Sequence, residues 1–189
     1  MTRASKTRQK MSGIGTRLAC MTRATRTTGT AGAGWAAFAA AAPGLAKTVE
    51  ERFAAHRHHV LATLRKDGSP RTSGLEVRIV HGELWLGMMP DSLKARDLLR
   101  DARFALQANP GDGTGMGGSG DVRIAGRAHE VTDPAVHGAY REEVEAPEGP
   151  FHLFRTELTE VVRTYVEDDT YLVVEAWRPG EPVRSVKRT

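Results

Sequence analysis

The chain has 189 residues, a hydrophobic fraction of 40% and a formal net charge of +4. That length allows one domain with an accessory segment, or two very small ones. No apolar run reaches the roughly 18 residues of a membrane span, since "GWAAFAAAAPGLA" is short and broken by Pro43. Residues 1–46 hold seven Lys and Arg and no acid; taking these from +4 leaves −3 on residues 47–189. A nucleic-acid-binding domain carries its basic stripe on the folded part, so this distribution argues against one.

Residues 1–33 read as a disordered basic leader, rich in Thr, Arg, Ala and Gly, with little that can pack. Met11 and Met21 offer a second reading, in which translation starts downstream and part of this segment is not made. It resembles a transit peptide in being basic and acid-poor, but lacks a secretory apolar region and cleavage box. The single cysteine, Cys20, lies inside it. An intramolecular disulfide is therefore excluded, and a cytoplasmic location is expected. Residues 34–189 are expected to form one folded domain.

Structure begins near Trp35. "WAAFAAAAPGLAKTVEERFAAH" has helical spacing at Leu45, Val49 and Phe53, with an interruption near Pro43. "HHVLATLRKDGSP" predicts a strand running into an Asp67-Gly68 turn. "RTSGLEVRIV" predicts one second strand, and "ELWLGMM" a third after the His81-Gly82 turn. A helix is predicted from Asp91, as its cap, to about Asp101, burying Ala95, Leu98, Leu99 and Ala102.

"RFALQANP" predicts a fourth strand, and "DVRIAGRAHEVT" a fifth that bulges or bends at Gly126. Asp133-Pro134 supplies a cap and first-position proline for a helix to about Glu145. Strand is expected again from about Leu158, and "TYLVVEAW" as the last one. The class is thus mainly β (α+β): a closed or partly closed barrel of six to seven antiparallel strands with two to three flanking helices.

Three local patterns carry little chemistry. Gly113, Gly115 and Gly118 spell GxGxxG, but a strand follows where a dinucleotide site needs a helix start. His56 and His58 could share a strand face, yet no third ligand stands near, so no metal site is assigned. The acidic run "REEVEAPE" reads as a solvated helix face.

"MMPDSLKARDLLRD" is harder to explain away. Lys94 stands in the first turn of a helix, where the macrodipole is positive and a cation costs a few tenths to about 1 kcal/mol. An anion docked there would offset the misfit, meeting free backbone N–H groups, the Ser92 hydroxyl and the Lys94 ammonium together. Arg71, Thr72, Ser73 and Arg78 on the second strand could converge on the same anion.

The run "HVLATLRKDGSPRTSGLEVRIVHGELWLGMMPDSLKARDLLRDARFALQ" resembles the core of the FMN-binding split-barrel superfamily. This is the pyridoxamine 5′-phosphate oxidase-like group, with its flavin/deazaflavin oxidoreductase branch. The matching residues are Asp67, Gly68, Pro70, Ser92, Lys94, Asp97 and Leu98, within a similarity spanning roughly Trp35 to Trp177. The resemblance implies a homodimer with two cofactor sites at the subunit interface. It places Ser92 and Lys94 on phosphate, Arg78 as a second cation, and Thr63, Leu64, Arg65, Thr72 and Ser73 near the ring and ribityl chain.

Two arginines usual in that family are absent: "SGLEVR" lacks the first strand arginine, and Ser92-Leu93-Lys94 has leucine between serine and lysine. Each lost charge-assisted contact is worth roughly 1.5–3 kcal/mol. The C-terminal signature for pyridoxamine phosphate is also not evident, so the resemblance points away from that oxidase activity. It points to a hydride-transferring oxidoreductase, with coenzyme F420 as first choice and FMN as second. The alternative is a cofactor- or haem-binding split barrel without turnover. No general acid is assigned; Tyr140, His129 and solvent all stay open.

Overall fold

The computed structural model describes residues 32–111, 118, 120–146 and 148–189. The basic leader, Cys20, and Gly113 and Gly115 of the glycine-rich connection lie outside the described residues. Two helices open the fold, α1 (Trp35–Ala41) and α2 (Pro43–Ala54). The break falls at Ala42, because Pro43 cannot donate a helical N–H but suits the first turn of a new helix. Leu45, Val49 and Phe53 are buried as their spacing requires. Phe38 of α1 packs on Trp177, ring centroids 4.8 Å apart, which seals one side of the core. Full burial of such a side chain contributes about 1.5–3 kcal/mol.

Nine strands follow: β1 (His59–Leu64), β2 (Pro70–Leu75), β3 (Val77–Val80), β4 (Glu83–Met88), β5 (Arg103–Gln107), β6 (Asp121–Glu130), β7 (His152–Glu167), β8 (Tyr171–Trp177) and β9 (Arg184–Arg188). Helix α3 (Leu93–Arg100) joins β4 to β5, and α4 (Pro134–Val144) joins β6 to β7. The strands form one antiparallel sheet in the order β2-β1-β5-β6-β7-β4-β3, with β8 and β9 added beyond β7. Its two path ends, β2 and β3, are consecutive in the chain and separated only by Glu76. The sheet therefore curls into a barrel whose seam is crossed by covalent chain instead of a strand ladder. That is the split barrel expected from the sequence.

The predicted single strand over 71–80 is corrected by this seam. Residues up to Leu75 pair with β1, whereas Val77–Val80 pair with β4. Apolar alternation runs through the break, so periodicity alone cannot reveal it. Two further boundaries differ. Strand β7 starts at His152, not near Leu158, and β9 was not predicted, its residues all being exposed and so giving no hydrophobic signal.

The bend at Gly126 is where it was expected. The β6–β7 register shifts between Ala125 and Gly126, and a Cβ on Gly126 would lie 2.1 Å from the Glu157 carbonyl oxygen. Only glycine permits that approach. Helix α4 begins as predicted, with the Asp133 carboxylate accepting from the Ala135 N–H at 2.8 Å.

Candidate cofactor site between α3 and β2

Asp91 does not cap α3. It occupies the left-handed region at φ 55°, and Ser92, in extended conformation, is the N-cap. Of the predicted stripe, Ala95 and Leu98 are buried, while Leu99 is 52% exposed and Asp97 takes the inward position instead. A carboxylate on the buried face needs partners, and it has three. The Thr63 hydroxyl donates to Oδ2 at 2.9 Å, Arg71 Nε to Oδ2 at 2.6 Å, and Arg100 Nη2 to Oδ1 at 2.8 Å. Burial alone would push the Asp97 carboxyl up, but the bonds from Arg100, Arg71 and Thr63 outweigh it and hold it below the usual carboxylate range. This knot fastens α3 to β1 and β2 and fixes where the first turn of the helix lies.

Lys94, in that first turn, reaches back to β2 and donates to the Gly74 carbonyl at 2.5 Å. Burial lowers its pKa, and among the described residues no carboxylate is paired with it. Each end of this bond has a hydroxyl close in sequence, Ser92 on α3 and Ser73 on β2. Both Oγ atoms are buried without a hydrogen-bond partner. A serine at an N-cap ordinarily accepts from the helix N–H groups; Ser92 makes no such bond. Two buried unpartnered hydroxyls thus lie near in sequence to the two ends of this bond, and the partly desolvated ammonium has a carbonyl for partner and no carboxylate among the described residues. Unsatisfied buried groups of this kind cost about 1–3 kcal/mol each. Their chemistry fits the anionic, hydroxyl-rich tail of a phosphorylated cofactor.

The other predicted site residues are placed differently. Thr63 is buried and engaged with Asp97, so it holds the helix instead of facing a groove. The Leu64 carbonyl accepts from Arg100 at 2.6 Å, and Arg65 folds onto Ser69 and the Pro70 carbonyl at 3.2 and 3.0 Å. Thr72 is exposed on the opposite face of β2 from Arg71 and Ser73. Arg78 lies across the seam on β3, 3.6 Å from Glu76, where its charge is felt by the Tyr140 phenol. The Lys94–Gly74 bond joins the first turn of α3 to β2, with Ser92 and Ser73 close to its two ends in sequence, whereas Arg78 has other partners.

Tyr140 is buried against Trp85 and Leu153, and burial raises its pKa. His129 is 3.6 Å from Glu157. Neither contacts the Lys94 junction through a hydrogen bond. Among the described residues no group of three or more His, Cys, Asp or Glu could hold a metal. His59 accepts from the Asn109 N–H at 3.2 Å, and His58 is 3.6 Å from Glu76. Sequence reasoning missed the part played by Arg100. Its position one helical turn after Asp97 was the available signal.

The model of the pyridoxamine 5′-phosphate oxidase family matches residues 45–165. The chain belongs to that family. The match covers every strand from β1 to β6, the Asp97 knot and the Lys94 junction. Solved structures share the fold. PhzG from Burkholderia lata 383, in complex with tetrahydrophenazine-1-carboxylic acid, is 16% identical with a TM-score of 0.52, covering 77% of this chain and 88% of its own. Rv2991, a conserved hypothetical protein from Mycobacterium tuberculosis, is 22% identical with a TM-score of 0.50, covering 61% and 81%. ChuZ from Campylobacter jejuni is 13% identical with a TM-score of 0.55, covering 76% and 63%. No curated protein matches the chain. Among the described residues no helix is long and apolar enough to cross a membrane.

Proposed function

We propose that this family member is an oxidoreductase that binds a flavin-type cofactor, coenzyme F420 first and FMN second, and acts on a small organic substrate. The observation that carries the reading is the Lys94 ammonium on the Gly74 carbonyl, without a carboxylate partner among the described residues, with the unpartnered hydroxyls of Ser73 and Ser92 close in sequence to the two ends of that bond. The cofactor supplies hydride transfer when bound. Lys94 neutralises its phosphate, Ser92 and the first N–H groups of α3 donate to it, and Ser73 donates to the adjoining chain. The Asp97 knot keeps these donors in place, so little ordering is left for the moment of binding. Thr63, Leu64, Arg65, Thr72 and Arg78, engaged elsewhere or on the other face of β2, are given no cofactor contact in this reading.

A homodimer belongs to this reading. Val60, Ala62, Ala105, Ala125, Val162 and Ala176 lie on successive paired strands, opposite the core positions, and stand half-exposed or exposed. This row, interrupted on β6 and β7 by the Arg123–Glu160 ion pair, suits a second copy and would bring two sites to one interface.

The test is a visible-spectrum titration of the full chain with F420, FMN and haem, followed by turnover assays with the reduced cofactor and enone or quinone acceptors. Saturable F420 or FMN binding that weakens at least about tenfold in Lys94→Ala supports the reading. An unchanged dissociation constant in that variant removes the anchor. Stoichiometric haem binding without turnover would favour the carrier alternative.

A further inference from the structure

Beside the Lys94 junction lies a cleft of about 640 Å³ between the β1–β2 turn and the outer face of α3. Neither Lys94, Ser73 nor Ser92 lines it. Its walls carry Arg65, Lys66, Arg71, Arg96 and Arg100 against Asp67 and Asp97, five positive charges to two negative, a net of +3. The pairings inside it show which charges are spent. Arg71 and Arg100 are bound to Asp97. Asp67 is turned to Ser69, whose N–H and hydroxyl donate to it at 2.9 and 2.7 Å. Arg65 hydrogen-bonds to neutral acceptors, Ser69 Oγ and the Pro70 carbonyl, and its charge acts on the Asp67 carboxylate without a direct ion pair. Arg96 makes one long contact with the exposed Asp91, at 3.4 Å. Lys66 has no ion pair or hydrogen bond among the described residues.

Lightly compensated cations therefore stand on both sides of the cleft, Arg65 and Lys66 on the turn and Arg96, with its one contact to Asp91, on the helix. Concave surfaces lined by one sign of charge concentrate counter-ions. Guanidinium forks match phosphate oxygens bidentately, and an ammonium adds a point charge. A single phosphate would be held well by one wall only, whereas linked phosphates can meet both. Leu93, 56% exposed, gives the cleft a short apolar edge.

We propose that this cleft is a second anion site, separate from the cofactor junction, which takes a compact di- or triphosphate group. That group could belong to a free oligophosphate or to a nucleotide. Arg65, Lys66 and Arg96 make the contacts, and the Asp97 knot fixes the floor. The assignment stands independently of the cofactor reading, because no residue of the Lys94 junction takes part.

The experiment is calorimetric titration of the full chain at low ionic strength, where surface charge is least screened, with inorganic tripolyphosphate, ADP and orthophosphate as probes. Tripolyphosphate or ADP should bind at least about tenfold tighter than orthophosphate, and the Lys66→Glu/Arg96→Glu double variant should lose at least about tenfold of that affinity. The milder Lys66→Gln/Arg96→Gln pair should show the same direction with an unchanged melting temperature, which separates lost charge from lost fold. In Lys94→Ala the tight tripolyphosphate site that the double variants weaken should persist, with any loss confined to a separate, weaker phosphate site at the Lys94 junction. Tighter tripolyphosphate marks a free oligophosphate as the ligand, and tighter ADP a nucleotide. The basic leader accompanies every variant, so binding through it would leave both double variants unaltered, and that result overturns the site. An equal loss in Lys94→Ala, or equal affinity for orthophosphate, overturns it as well.

Discussion

Lys94 and Gly74 are joined by a 2.5 Å hydrogen bond from the ammonium to the carbonyl, which ties the first turn of α3 to the end of β2. The bond explains how a lysine is tolerated at the positive end of a helix. Its charge is drawn off toward a strand carbonyl, while Ser73 and Ser92 beside it are left without partners. Ser73→Ala and Ser92→Ala should therefore raise apo stability, each by up to about 1–3 kcal/mol, since each removes an unsatisfied buried hydroxyl and breaks no bond. The same variants should weaken cofactor binding, about three- to tenfold for Ser73, one neutral hydrogen bond, and more than about tenfold for Ser92, whose bond to phosphate is charge-assisted. Thermal melts and cofactor titrations on each variant check this. A large stability loss with unchanged binding would show that the hydroxyls serve the fold.

The Asp97 knot is a structural centre, and its removal should register in stability before binding. Asp97→Ala should cost about 3 kcal/mol, the low end for a broken buried pair because Arg71 and Arg100 keep some access to water. That corresponds to a fall in melting temperature of roughly 6–12 °C for a chain of this size. Thr63→Val, removing one donor from the same carboxylate, should cost about 1 kcal/mol. Urea or thermal unfolding decides both.

The same carboxylate sets an acid limb. Its folded pKa lies below the ordinary carboxylate value of about 3.9. The unfolded chain thus takes up a proton first as pH falls, and the stability Asp97 contributes is full above about pH 4. It is lost as pH drops through the depressed folded value. Asp97→Asn should flatten that limb in a plot of unfolding free energy against pH.

His59 should act at milder pH. Its ring is buried on Phe53, and burial lowers its pKa despite backbone hydrogen bonds at Phe53 and His56 that act the other way; the charges of His56 and His58 lower it further. The neutral ring accepts from the Asn109 N–H. A base with a depressed folded pKa gives full stability above its unfolded value of about 6.5 and loses it as pH falls toward the folded one. Stability should decline below about pH 6.5 in the parent and decline less in His59→Asn, whose amide oxygen can still accept.

Gly126→Ala should destabilise by about 1–3 kcal/mol or more, because its Cβ would stand 2.1 Å from the Glu157 carbonyl and one strand must move. Loss of cooperativity or a lowered melting temperature would be the readout. An unchanged melt would mean that the bulge has room the register shift does not suggest.

Local sequence signals determined much of this protein. Pro43 divides the first helices, Asp133-Pro134 starts α4, and Gly126 marks the bulge, because each acts through its own backbone. The ordered run of motifs from Asp67 to Leu98 also identified the split barrel, since family frames survive as spacing. Tertiary structure alone decided the seam at Glu76, which sends Arg78 to the β4 side and leaves Ser73 with α3. It also turned Thr63 inward onto Asp97 and Lys94 onto a main-chain carbonyl. Strand periodicity reports which residues alternate in burial, but not which neighbour a strand chooses. Partner choice rests on how a curled sheet closes, a property of the whole barrel that no short segment encodes.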